Sequence, residues 1–113
     1  MKNNSIKILK ETLAAYCDCN RAGSMDGRNL NFRASGSVSK EVAMTIMQSA
    51  LALYGSYNEF TPEKLDLLPD DCQITLAREY SVCVYVKPAL KTIPSMGQDE
   101  TGNKNGETRI WWD

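Results

Sequence analysis

The apolar positions of residues 39–55, SKEVAMTIMQSALALYG, recur with the period of a helix. Val42, Ile46, Ala50 and Leu53 fall on one stripe, the mark of a buried helical face. Ser39 is a suitable N-cap, because its hydroxyl can accept from a free amide of the first turn. Glu41 sets negative charge beside the positive end of the helix dipole. Gly55 follows the last apolar residue, where a left-handed backbone is cheapest without a side chain.

The other side of this helix is apolar as well. Met44, Met47 and Leu51 form a second row, leaving only Thr45, Gln48 and Ser49 as a polar strip, and no charge stands between Val42 and Gly55. A helix apolar on nearly all sides is covered on nearly all sides. Two coverings fit. The helix lies between a sheet and the first helix, or Met44, Met47 and Leu51 meet a second copy or a partner, a role methionine suits because its unbranched chain adapts to irregular surfaces.

Period-two alternation is strongest over residues 73–87. Val82, Val84 and Val86 alternate with Ser81, Cys83, Tyr85 and Lys87, and Ile74 and Leu76 continue the pattern. A turn near Arg78 and Glu79 makes this a hairpin; one long bent strand is the alternative. Residues 28–37 form another strand, with Leu30, Phe32 and Ala34 on one side and Asn29, Asn31, Arg33 and Ser35 on the other. Residues 90–96 read as an edge strand, since Pro94 is compatible with little else in a sheet. Residues 108–113, TRIWWD, read as a closing strand, because two dangling indoles would be costly.

Around these lie a first amphipathic helix over residues 5–20 and a loop over 20–27. A short helix starts at Thr61, Pro62 and Glu63 and stops at Pro69. Residues 97–107, GQDETGNKNGE, read as a flexible polar loop. The element order predicts one α+β domain over 1–113: a single, mainly antiparallel sheet of about four strands with two main helices packed on one face.

Composition narrows the functional classes. The 113 residues are 42% hydrophobic and 24% charged, with a net charge of −1. That is ordinary for a globular domain and gives no overall attraction to nucleic acid or acidic lipid. No apolar run reaches membrane-spanning length, and Lys7, Lys10 and Glu11 interrupt the N-terminal segment, so it does not read as a signal peptide. A cytoplasmic location is expected. Cys17, Cys19, Cys72 and Cys83 are then expected as free thiols, because their spacing lacks the knuckle pattern of a zinc site.

The chain has no histidine. That removes the commonest general base and every Ser-His or Cys-His arrangement. No Gly-rich phosphate loop is present, and the acid pairs Asp70-Asp71 and Glu79-Tyr80 stand at expected turns. An enzyme is not the expectation, and no cofactor or metal is implied.

One face remains. If Leu30, Phe32, Val82, Val84, Ile110 and Trp112 look into the core, the opposite parity presents Asn29, Asn31, Arg33, Ser81, Cys83, Tyr85, Lys87, Arg109 and Trp111. Asn31, Arg33, Tyr85, Lys87, Arg109 and Trp111 are the candidate contact residues. Tyrosine, tryptophan and arginine are the residues of protein–protein hot spots. Cations with aromatic faces also suit a small nucleotide or single-stranded nucleic acid. The first expectation is a small non-catalytic binding protein of the inhibitor, adaptor or immunity type. It acts through a protein interface and self-associates through Met44, Met47 and Leu51. The nucleotide or nucleic-acid binder is the alternative.

Overall fold

A computed structural model describes residues 7, 8, 11, 32, 33, 36–55, 59–78 and 81–113. Its elements are β1 (Phe32–Arg33), β2 (Val38–Ser39), helix α1 (Lys40–Tyr54), a 3-10 helix η1 (Pro62–Leu67), β3 (Gln73–Arg78), β4 (Val82–Lys87), β5 (Glu100–Lys104) and β6 (Glu107–Trp112). Every strand pairing is antiparallel, in the order β1-β3-β4-β6-β5. The fold is therefore α+β, with a five-position antiparallel sheet, one main helix and a short 3-10 helix among the described residues.

β1 and β2 share one edge position beside β3. Phe32 pairs with Arg78 and Val38 with Ile74, and only Thr75 and Leu76 of β3 lie between the two pairings. The strand expected over 28–37 is thus a broken edge, and its residues other than Phe32, Arg33, Gly36 and Ser37 lie outside the described set. Of the first helix expected over 5–20, only Lys7, Ile8 and Glu11 are described, and they are helical. The loop expected over 20–27 lies outside the described residues.

α1 begins and ends as its flanks dictate. Ser39 Oγ accepts from Val42 N at 3.2 Å. Gly55 takes φ 77° and its N–H donates to Leu51 O at 2.8 Å. The phase of the helix differs from the expected stripe. Ala43, Ile46, Met47 and Ala50 are buried, Leu53 is half-buried, and Val42 is 42% exposed. Lys40 explains the rotation. Its ammonium donates to Asp70 Oδ1 at 2.6 Å and to Leu68 O at 3.2 Å, and pairs with Asp66 at 3.4 Å. This holds the first turn of α1 against the end of η1 and turns Val42 outward.

η1 buries Pro62, Leu65 and then Leu68 at three-residue spacing, the repeat of a 3-10 helix, while Leu67 stays 58% exposed. At the other end of α1, buried Arg78 donates to Gly55 O at 2.7 Å. A guanidinium there complements the negative end of a helix that has no basic residue in its last turn.

Ile74, Leu76, Val82, Val84, Val86, Ile110 and Trp112 form the inner face of the sheet under α1 and η1. Trp112 meets Phe60 edge-on at 4.8 Å, and its indole N–H donates to Met96 O at 3.0 Å. That bond brings residues 88–99 back over the core.

Two expectations fail in this part of the chain. Residues 90–96 form no strand. Leu90 N donates to the buried Thr108 hydroxyl at 2.7 Å, and Asn103 Nδ2 donates to Leu90 O, so side chains take the place of a ladder. Residues 97–107 are not a loop throughout, since β5 takes up residues 100–104 and β6 begins at Glu107. Asn105 and Gly106 both have positive φ, 55° and 78°, the type I′ geometry that matches the twist of a two-residue hairpin.

Candidate functional site

The register fixes which residues share the outward face of the sheet, because directly opposed residues point the same way. One row runs Ala77, Cys83, Trp111, Glu100, with Arg33 paired to Ala77 at its far end. The next runs Thr75, Tyr85, Arg109, Gly102. Lys87 and Gln73 pair in a third, as do Lys104 and Glu107. Tyr85, Lys87, Arg109 and Trp111 therefore stand on the single face that alternation assigns them, and the backbone of Arg33 pairs with Ala77 at the edge of that face. Asn29 and Asn31 lie outside the described residues.

At the centre is a square of side chains. Cys83 and Trp111 are opposed across β4 and β6, and Tyr85 and Arg109 are opposed beside them. Arg109 is its hub. Its guanidinium lies 5.6 Å from the centroid of the Trp111 ring and 3.5 Å from Glu100 Oε1. Tyr85 stands directly opposite it on β4. Cations over indoles are held by the ring quadrupole, about 0.5–1 kcal/mol at an exposed site.

The electrostatics follow from this packing. Burial and then the Cys83 sulfur push the Tyr85 hydroxyl above the ordinary tyrosine range, while Arg109 pulls the other way. For Arg109, burial opposes the charge. The neighbouring Cys83, Tyr85 and Glu100 outweigh it, so the guanidinium pKa is raised. Tyr85 thus stays a neutral hydroxyl and Arg109 a cation across the ordinary pH range. Lys87 Nζ lies 3.9 Å from Glu107 Oε2. Lys87 and Arg109 therefore each carry a carboxylate, and Cys83, opposed to Trp111, is only 7% exposed. The arrangement offers flat aromatic and guanidinium surface rimmed by paired charge. It places no free general base beside a nucleophile.

The expected association row on α1 is split by the observed phase. Met47 is 3% exposed in the chain's own core, Met44 is half-buried against that core, and Leu51 is exposed. Cys72 and Cys83 are buried and not in a disulfide. Among the described residues no group of three or more acidic or cysteine side chains is placed to hold a metal ion. No helix among them is long and apolar enough to cross a membrane.

A groove of about 580 Å³ opens on the other side of the molecule, walled by Leu67, Pro69, Pro88, Leu90 and Pro94. The sequence holds no signal for it, because its walls come from two segments that meet only in the fold. No family model, curated protein or solved structure matches the chain.

Proposed function

We propose that the chain is a small binding protein without chemistry of its own, and that it engages another protein through the outward face of the sheet. Tyr85, Arg109 and Trp111 form the centre of the contact, with Glu100, Lys87 and Glu107 at its rim. The Arg109–Trp111 stack carries this reading. An arginine fixed against an indole, with a tyrosine beside it, offers large rigid contact area at little entropic cost. The lack of any histidine supports a role in binding rather than in acid–base catalysis.

The pairing of charge favours a protein over a phosphate-bearing ligand. A phosphate would have to displace Glu100 from Arg109 and Glu107 from Lys87, whereas a protein surface meets both signs as they stand. The test compares the wild-type chain with Arg109→Ala and Trp111→Ala, immobilised and exposed to extract of the source cells. The same three chains are titrated with ATP and an oligothymidylate. The reading expects one protein retained in stoichiometric amount by wild type and lost from both variants, and no response to either nucleic-acid probe. Nucleotide binding that fails in Arg109→Ala would overturn it.

A further inference from the structure

We propose that two copies of the chain associate through the free edge of β5, antiparallel and centred on Gly102. In this arrangement Glu100 of each copy meets Lys104 of the other. β5 pairs with β6 on one side and with no described residue on the other, and all its residues are exposed.

The direction of its backbone groups follows from the turn. A two-residue hairpin closes on a pair that exchanges both hydrogen bonds, here Lys104 and Glu107. Such pairs alternate along the ladder, so Gly102–Arg109 and Glu100–Trp111 are bonded as well. The Asp99 N–H also reaches Trp111 O, at 2.9 Å, so the regular alternation ends at Glu100. Thr101 and Asn103 therefore turn their N–H and C=O groups away from β6, toward the open edge.

Only some registers use those groups. Centring on Gly102 bonds Thr101 to Asn103 of the second copy and opposes Glu100 to Lys104 twice. Centring on Thr101 or Asn103 sets a charged residue against Gly102. Centring on Glu100 or Lys104 stacks like charges. The sequence Glu-Thr-Gly-Asn-Lys is thus its own antiparallel complement about its middle residue. Charges on an edge normally discourage pairing. Here their opposite signs at symmetric positions select one register instead.

Gly102 adds an independent argument. Its φ is not positive, and a Cβ built there would meet nothing within 4 Å. The chain's own fold gives no reason for glycine at that position, where it weakens a strand. At the centre of the proposed pairing Gly102 faces itself in the close, non-bonded position, with Cα atoms about 4.5 Å apart. There the missing side chain matters. Glu100 and Lys104 lie on the outward face, so the dimer would set two Arg109–Trp111 patches on one continuous sheet. The pairing does not depend on what those patches bind, and its test reads mass alone.

The experiment is analytical ultracentrifugation of the whole chain at low salt between about 1 µM and about 1 mM, the range suited to a weak interface. Wild type is expected to pass from monomer to dimer. Glu100→Lys and Lys104→Glu should each weaken association by about tenfold or more, since each sets like charges opposite twice. Mixing the two variants should restore a dimer, and the double variant E100K/K104E should dimerise alone. Circular dichroism confirms that each variant is folded. A wild type that stays monomeric, single variants that associate like wild type, or a mixture that remains monomeric would each overturn the proposal.

Discussion

Arg109 and Trp111 lie two residues apart on β6, and the guanidinium of the first is seated 5.6 Å from the ring centroid of the second. The pair faces away from the hydrophobic core, so its removal should leave the fold standing. Arg109→Ala is expected to cost no more than about 1 kcal/mol in urea unfolding. A loss above about 3 kcal/mol would mean that the pair is structural, and would take away the reason for assigning it to binding.

Thr108 makes the opposite prediction. Its hydroxyl is fully buried, accepts from Leu90 N at 2.7 Å and donates to Asn103 Oδ1. Thr108→Val keeps the volume and strands the Leu90 amide. The expected loss is about 1–3 kcal/mol by chemical denaturation. Faster amide exchange at Leu90 should accompany it.

Gly106 occupies φ 78° in the turn between β5 and β6. Gly106→Ala should destabilise by about 1 kcal/mol through backbone strain, with space no obstacle, since nothing lies within 4 Å of a Cβ there. Equal stability of the two chains would argue against the type I′ turn.

The Lys40–Asp70 bond gives a pH window. The Asp70 carboxyl is held below the usual carboxylate range by Lys40, and the Lys40 ammonium is held above the usual lysine range, chiefly by Asp70. A lowered acid stabilises above its unfolded pKa and loses that contribution as pH falls through the folded value. A raised base stabilises below its unfolded pKa and loses it as pH rises through the folded value. The contribution should therefore be full between about pH 4 and about pH 10. Asp70→Asn should have a lower Tm than wild type at neutral pH, and the difference should shrink below about pH 3.

The strands were the most legible part of the sequence. Alternation in Val82, Val84 and Val86 and in Ile110 and Trp112 assigns the inner and outer faces, and the register agrees. Ser39 and Gly55 likewise mark the ends of α1. Its phase was not legible, because apolar residues ring the helix almost completely. A long-range bond from Lys40 to the end of η1 sets the rotation. Every residue of β5 is exposed, so no hydrophobic alternation marks it, although Asn105-Gly106 is a strong hairpin signal in itself. Residues 90–96 have the pattern of an edge strand but no ladder, since Thr108 and Asn103 satisfy the backbone at Leu90 from across the fold.

The claim that the outward face is a protein contact is tested most directly by photo-crosslinking from that face in the source cells. p-Benzoylphenylalanine replaces Tyr85, with the same residue at exposed Leu67 as a control on the opposite side. One protein adduct of defined mass is expected from position 85, absent from position 67 and abolished when Arg109→Ala is added. Adducts that appear equally from both positions, or nucleic acid as the species captured at 85, would contradict the account.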